Sequence, residues 1–136
     1  MITKNSLHVK AFSLPELLVV LVIMGILVLL AIPNLMPLIS RAKSSEAKIQ
    51  LAHVHMLQRT YFFEYSKYSD DLTEIGYEQE KLITENGTAN YRIEVLKANE
   101  DGFIAKATSV VDFDKDGQFN VWEIDQDKTL TETIKD

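Results

Sequence analysis

The sequence predicts an α+β fold in which a long N-terminal hydrophobic helix packs on a small antiparallel β-sheet. Residues 17–32 form an uninterrupted apolar run, and residues 40–65 continue with helical periodicity. Three short segments with strand-like alternation follow between residues 89 and 125. Helical and strand periods in separate parts of a chain are typical of α+β proteins. A length of 136 residues suits one small domain and one membrane element.

The apolar run is long enough to cross a membrane. Between residues 17 and 39 only two prolines and an asparagine interrupt aliphatic, Met, Ala and Gly residues, and a spanning helix needs about 20 mostly apolar residues. Lys4 and Lys10 precede the run, so the positive-inside rule predicts a cytoplasmic N-terminus. A cleaved secretory signal would end in small residues, which do not follow here, and a domain this small cannot bury such a run. An ordinary signal anchor stays open as an alternative.

Glu16 is an acid at the edge of this apolar run, directly after Pro15. An acid within hydrocarbon costs about 2.5–3.5 kcal/mol on insertion scales and indicates a function. The alternative is a carboxylate that reaches out to the headgroups from the helix end. Its position is better explained if the chain is cut before Phe12, because the new α-amine would lie near the same membrane depth. Glu16 would then neutralise its own amine or that of a neighbouring chain.

Residues 11–34, AFSLPELLVVLVIMGILVLLAIPN, carry a family resemblance. Together with the short basic leader and the polar C-terminal part, they resemble a type IV pilin or a related pseudopilin. The resemblance implies that a prepilin peptidase cuts between Ala11 and Phe12 and N-methylates Phe12. It also implies that Glu16 is the family's assembly glutamate and that Pro33 matches a proline usual in this segment.

Two residues depart from the family pattern. Ala11 stands before the cut where glycine is usual, and we expect this small residue to be accepted with slower processing. Pro15 replaces the usual aliphatic residue before the glutamate. A proline is tolerated in the first turn of a helix because its missing N–H has no partner there. We therefore expect the helix to begin near Phe12.

Four segments are predicted on this basis. Residues 1–11 are a cleaved leader peptide, and residues 12–39 are a transmembrane and assembly helix. Residues 40–65 form an amphipathic second half of the helix, and residues 66–136 form a globular head with an antiparallel sheet.

The second half of the helix has an apolar or small residue at nearly every helical turn. We predict that this stripe packs on the sheet. Its members are Ala42, Ser45, Ile49, Ala52, Met56, Thr60 and Phe63. Pro33 and Pro37 predict a kink or a local opening between the two halves.

The head contains three strand candidates. They are residues 89–97, 102–111 and 119–125. In the first, Tyr91, Ile93 and Val95 alternate with charged residues, which is the pattern of a half-buried strand. Residues 99–102, NEDG, suit a hairpin turn.

Residues 112–123, DFDKDGQFNVWE, match the twelve-residue calcium loop of an EF-hand. Three carboxylates within five residues repel one another unless a cation lies among them, and Gly117 suits the sharp turn. The predicted Ca²⁺ ligands are Asp112, Asp114, Asp116, the carbonyl of Gln118, Asn120 directly or through water, and Glu123. Because the segment after the loop resembles a strand, Asp125 is an alternative to Glu123. An acidic, solvated turn is the alternative to a metal site.

The sequence contains no cysteine, so no disulfide can close the head. Many pilins close their C-terminal part with a disulfide. The resemblance therefore suggests that Ca²⁺ takes the place of that cross-link.

No catalytic constellation is present, because cysteine is absent and the histidines are isolated. The chain is not expected to be an enzyme. A net charge of −6, which becomes −8 if Lys4 and Lys10 are removed with the leader, does not favour nucleic acid.

The resemblance implies a structural subunit of a type IV pilus. Such a subunit would wait in the bacterial inner membrane, with its N-terminus in the cytoplasm, and assemble into a homo-oligomeric filament. The implied partners are prepilin peptidase, an inner-membrane assembly platform and membrane lipid. One alternative is a pseudopilin of a type II secretion system, which would form a periplasmic pseudopilus. A membrane-anchored calcium-binding module that does not polymerise is the second alternative.

Overall fold

The computed structural model describes residues 11–136 and confirms the α+β class. Within that range the elements are helix α1 (Leu14–Tyr65), a 3₁₀-helix (Ile83–Glu85), and strands β1 (Tyr91–Ala98), β2 (Phe103–Ser109), β3 (Val121–Asp125) and β4 (Leu130–Ile134). The predicted leader, with Lys4 and Lys10, lies outside the described residues except for Ala11. The chain divides into two compact units, of which the first ends at Leu35 and the second is Met36–Asp136.

The four strands of the second unit form one antiparallel sheet in the order β1-β2-β3-β4. The three predicted strands are confirmed, with slightly different ends. The predicted hairpin turn is also confirmed, since Asn99 donates its backbone N–H to the Gly102 carbonyl at 3.0 Å. The sequence analysis did not identify β4, which is an exposed edge strand whose alternation is interrupted by Glu132.

The core of the second unit lies between the second half of α1 and the sheet. Its buried members are Ala47, Leu51 and Val54 from α1, Ile75 and Tyr77 from the connector, Tyr91 and Ile93 from β1, Phe103, Ala105 and Ala107 from β2, and Ile124 from β3. The alanines of β2 are fully buried. They present little bulk to the helix, whereas Phe103 and Tyr91 are the largest fully buried side chains of the same core.

The helix face that packs on the sheet is not the one predicted. The buried residues of α1 are Ser40, Ser44, Ala47, Leu51, Val54, His55 and Gln58. The predicted stripe was wrong, since Ile49, Met56 and Phe63 are 68%, 58% and 73% exposed. The buried residues and the predicted stripe both recur with the helical period, so periodicity alone could not show which of the two sets packs on the sheet.

Polar residues occupy the buried face because they bind the backbone of the head. Gln58 donates to the carbonyl of Ser69 and accepts the Ser69 N–H at 3.0 Å. His55 donates from Nε2 to the carbonyl of Gln126 at 3.0 Å. These hydrogen bonds satisfy the buried polar groups, which offsets the cost of burying the polar side chains.

Helix α1 continues through Pro33 and Pro37. The predicted local opening at these prolines is therefore not observed. The side-chain amide of Asn34 donates to the Leu30 carbonyl at 3.3 Å, which satisfies it within the helix.

Because of Tyr77, the free energy of unfolding is expected to fall in alkaline solution. Its side chain is 5% exposed and its hydroxyl donates to Gln50. Burial, with smaller effects from the charges of Glu80 and Glu46, raises the pKa of Tyr77 from 10.0 to about 12. The unfolded chain ionises first, so between these values stability falls with rising pH, by at most about 1.4 kcal/mol per pH unit for this group.

Tyr77→Phe should therefore weaken the alkaline loss of stability. Denaturant unfolding of the full chain in detergent micelles from pH 9 upwards measures it. Tyr65→Phe is the matched control, because Tyr65 is 58% exposed. Equal pH dependence in the two variants would contradict the role of Tyr77.

Candidate functional site

The predicted processing site lies just before α1. Ala11, Phe12 and Ser13 are not helical, and Phe12 is 81% exposed. The peptide bond between Ala11 and Phe12 is therefore outside the hydrogen-bonded helix. The helix begins at Leu14, two residues beyond Phe12, so Pro15 lies in its first turn. A proline there removes no helical hydrogen bond.

Glu16 caps the first turn of α1 through Ser13. The backbone N–H of Ser13 donates to Glu16 Oε2 at 2.7 Å, and the Ser13 hydroxyl donates to the same oxygen at 2.8 Å. This is part of a capping box, in which a Ser at the helix start is followed three residues later by Glu. Within residues 11–136, no donor other than Ser13 binds this carboxylate, and its Oε1 takes no hydrogen bond.

The sequence analysis did not single out Ser13. The Ser-x-x-Glu spacing at the start of an apolar helix was the available signal. Glu16 therefore has a local structural role in addition to any role in assembly.

The apolar run is exposed in the described chain. Nearly all of the large apolar side chains in residues 17–39 are exposed, from 45% at Val20 to 72% at Leu29. A stretch of this helix is long and apolar enough to cross a membrane, and none of it is buried. Residues 17–39 extend over about 34 Å of helix, which matches a hydrocarbon core about 30 Å thick. Such a surface requires lipid or other apolar helices around it.

The acidic loop connects β2 to β3. The two carboxylate oxygens of Asp112 accept the backbone N–H groups of Lys115 and Gly117 at 2.6 and 2.8 Å. Gly117 has a φ of 90°, a left-handed conformation that favours glycine. The tight turn predicted at Gly117 is thus present.

Three carboxylates of this loop form one group. Asp112, Asp114 and Asp116 each offer an oxygen, and these atoms all lie within 4.8 Å of one another. Desolvation raises the pKa of Asp114, and the charges of Asp116 and Asp136 add to the rise, although a backbone hydrogen bond from Asp116 acts in the opposite direction. Hard oxygen donors at this spacing fit a Ca²⁺ ion.

Gln118 lies beside the carboxylate group. Its backbone N–H donates to Asp116 Oδ1 at 2.7 Å, and its side chain is exposed. No residue in the described range donates to its carbonyl. Among the described residues, nothing therefore competes with an ion for that carbonyl.

The structure does not bring Asn120 and Glu123 into the group. Asn120 is fully buried. Its Oδ1 accepts the Tyr91 hydroxyl at 2.8 Å, and its Nδ2 donates to Glu132 at 2.7 Å and to the carbonyl of Ile134 at 3.1 Å. These hydrogen bonds join β1 to β4 inside the head, and the ligand role of Asn120, directly or through water, stays a prediction.

Glu123 lies within β3, opposite Lys106 on one side and Thr131 on the other. It is not a member of the carboxylate group. The alternative ligand, Asp125, accepts the backbone N–H groups of Asp127 and Thr129 in the turn before β4. The Asp125 carboxylate thus stabilises the turn of the β3–β4 hairpin.

Asp136 is a further residue of this site. Its carboxylate accepts the backbone N–H groups of Phe113 and Asp114 at 2.9 and 3.1 Å, and its carbonyl accepts the Ser40 hydroxyl. The acidic loop is thereby joined to the segment after β4 and to α1. These partners are far apart in the sequence, and no local pattern marks them.

Two comparisons with known proteins bear on these residues. A family model described as the prokaryotic N-terminal methylation motif matches residues 7–32, which include Ala11, Phe12 and Glu16. The protein named "Type IV major pilin protein PilA" from Myxococcus xanthus (strain DK1622) is 42% identical over 72 residues. The match covers 53% of this chain and 33% of that protein, so the chain spans about a third of its relative's length.

Proposed function

We propose that this chain is a structural subunit of a type IV pilus, which the N-terminal methylation motif matched at residues 7–32 and the similarity to a major pilin support. The observation that carries the proposal is the exposed apolar helix with a single carboxylate at its start. In the membrane, lipid covers residues 17–39. In the fibre, the same surface packs against the helices of other copies.

Glu16 provides the electrostatic part of assembly. Cleavage before Phe12 creates an α-amine at the end of the apolar segment, where an unpaired charge is costly. The Glu16 carboxylate of an incoming copy neutralises the amine of a Phe12 already in the fibre. Oε1 takes no hydrogen bond from residues 11–136, so it is the oxygen that meets the amine, while Oε2 continues to cap the helix through Ser13.

Processing by prepilin peptidase precedes this step. The bond between Ala11 and Phe12 lies outside the helix, so the enzyme can bind it without unwinding α1. Cleavage there, followed by N-methylation of Phe12, produces the chain that assembles. The inner-membrane assembly platform then extracts this chain from the lipid with its N-terminus on the cytoplasmic side.

Electron microscopy of sheared surface material tests the proposal. Cells that express the chain should release thin fibres that an antibody against the head decorates along their length. Cells that lack the chain should release none. Surface fibres that never contain the chain would contradict a pilus subunit.

The relative's name, which refers to a major pilin, favours a pilus over a pseudopilus. A pseudopilin of a type II secretion system is the second candidate, and the acidic loop and the short chain favour it. In that case the antibody would label structures in the periplasm, and deletion of the gene would stop secretion of exported enzymes.

We further propose that the acidic loop binds Ca²⁺. Asp112, Asp114 and Asp116 supply carboxylate oxygens and Gln118 supplies its carbonyl. The bound ion would remove the repulsion among the three acids. Because Asp136 joins the same loop to α1 and to the end of β4, ordering the loop would stabilise the whole head in a chain without disulfides.

Calcium should bind the full chain in detergent micelles and raise its melting temperature. At a concentration one hundred times the Kd, one site adds about 2.7 kcal/mol to stability. Asp114→Asn should remove most of this effect, whereas Asp101→Asn, an exposed aspartate in the β1–β2 turn, should not. Isothermal titration and thermal unfolding with and without a chelator measure both. No heat of binding and an unchanged melting temperature in the original chain would contradict the site.

A further inference from the structure

A pocket lined by aromatic rings lies in the second unit, where the end of α1 meets the sheet. Its volume is about 190 Å³. Four rings form most of the lining, together with a cation and a histidine: Phe62, Phe63, Tyr68 and Phe103, with Arg59 and His55. A cavity of about 150 Å³ is enough to bind benzene. The pocket therefore has room for one phenyl ring.

The rings of this aromatic pocket hold one another in place. Phe62 stacks on Tyr68 with 4.8 Å between the ring centres, and Tyr68 lies 5.1 Å from Phe103. Phe103 is buried in the core, which fixes the inner side of the cluster. Phe63, in contrast, is 73% exposed. An aromatic ring that enters from outside would thus find ready partners for ring-to-ring packing.

The charge in the aromatic pocket is positive. The guanidinium of Arg59 lies over the ring of Phe63, with 5.8 Å to the ring centre. No acidic residue is part of the lining. Among residues 11–136, no carboxylate oxygen lies within 4.0 Å of Arg59. In a chain with a net charge of −6, this pocket favours an aromatic group that is accompanied by negative charge.

The acidic loop between β2 and β3 carries such a group. Phe119 belongs to this loop and is 44% exposed. In the described part of the chain outside α1, the exposed large apolar side chains are Ile83, Leu96, Phe119 and Ile134, of which Phe119 alone is aromatic. Residues 112–119 also contain three aspartates and one lysine. The loop therefore matches the pocket in both ring and charge.

The acidic loop and the aromatic pocket lie at different levels of the second unit. Asp136 joins the loop to Ser40 of α1, whereas the pocket is lined by Arg59 of the same helix. Ser40 and Arg59 are separated by about 28 Å along α1, at 1.5 Å per residue. A chain cannot place its own loop in its own pocket across this distance. Two different surfaces that fit each other form a head-to-tail contact, which repeats from copy to copy and builds an open filament.

We propose that Phe119 and the acidic loop of one copy dock in the aromatic pocket of a second copy. The phenyl ring fills the pocket, and the loop carboxylates approach Arg59. The inference rests on the proposed pilus function, because a fibre presents many copies in one orientation. It adds a contact between heads to the packing of the apolar helices. A single ring buries little area, so the contact is weak between two free copies, and its test traps it covalently.

Photo-cross-linking from position 119 tests the contact. The photoreactive amino acid p-benzoylphenylalanine replaces Phe119, and this chain is mixed in detergent micelles with an excess of isotope-labelled original chain. A chelator is present, so the result does not depend on the proposed Ca²⁺ site. Mass spectrometry of the digested product should show a cross-link to labelled peptides from residues 55–68, which contain most of the pocket. The label identifies the partner as a second copy.

Two controls make the cross-link specific. The same photoreactive residue at Ile83, which is 45% exposed, should not reach the pocket peptides. A labelled chain with Arg59→Gln and Phe63→Ala combined should lose the cross-link from position 119. A labelled chain with Arg41→Gln and Met56→Ala combined should keep it, although the same helix has also lost a cation and an exposed apolar side chain. Circular dichroism verifies that both labelled variants are folded.

Three results would overturn the proposal. The first is no cross-link from position 119 to labelled pocket peptides, including the case in which only unlabelled peptides are joined. The second is an equal yield from position 83, and the third is an equal loss in the two labelled variants. Micelles need neither cleavage nor fibres, so a failure here is separate from a failure of the pilus proposal, which electron microscopy decides.

Discussion

Glu16→Ala is expected to abolish fibres while the chain still inserts into the membrane. The apolar run is unchanged, and removal of an acid from its edge favours insertion, since a buried acid costs about 2.5–3.5 kcal/mol. Assembly is lost because the α-amine created before Phe12 no longer meets a carboxylate. Immunoblots of sheared and membrane fractions, together with electron microscopy, measure the two outcomes separately.

Two further variants separate charge from helix capping. Glu16→Gln keeps the shape of the side chain without its charge, and it should also abolish fibres. Ser13→Ala keeps the charge and removes one of the two hydrogen bonds to Oε2, and it should retain fibres. Normal fibres from Glu16→Gln would contradict the electrostatic mechanism, and loss of fibres in Ser13→Ala alone would assign Glu16 to capping.

Leu51→Ala is expected to cost about 2–5 kcal/mol of unfolding free energy, because it leaves a cavity in the core of the second unit. Leu51 is fully buried between α1 and the sheet. Denaturant unfolding of the full chain in detergent micelles, followed by Trp122 fluorescence, measures the loss.

Ile49→Ala is the matched control on the same helix. Ile49 is 68% exposed in the single chain, so its truncation should change the unfolding free energy by about 0.5 kcal/mol or less. A loss at Ile49 equal to that at Leu51 would mean that the stripe predicted from the sequence packs on the sheet after all.

The helix faces show why the sequence predicted the fold class but not the packing. Ile49, Met56 and Phe63 are larger and more apolar than the buried Ser44 and Gln58. In a monomeric protein, residues as apolar as these would be expected in the core. A subunit of a fibre carries apolar surface for other copies as well as for its own core, so hydrophobicity alone does not say which face belongs to the sheet.

The acidic loop shows a different limit of sequence patterns. The spacing of Asp112, Asp114, Asp116 and Gly117 is local, and the structure brings the three acids together at the predicted turn. Asn120 fits the same pattern by position, yet its side chain is held by Tyr91, 29 residues earlier in the chain. A motif defined by the spacing of residues cannot detect a hydrogen bond between residues that are distant in the sequence and that the sheet brings together.

The mass of the subunit taken from purified fibres tests the central proposal most directly. We expect a chain that begins at Phe12, with one methyl group on its α-amine and without Lys4 and Lys10. Fragmentation of the N-terminal peptide would place the methyl group on Phe12. Ordinary fibres built from chains that still carry residues 1–11 would contradict the pairing of Glu16 with a newly formed amine.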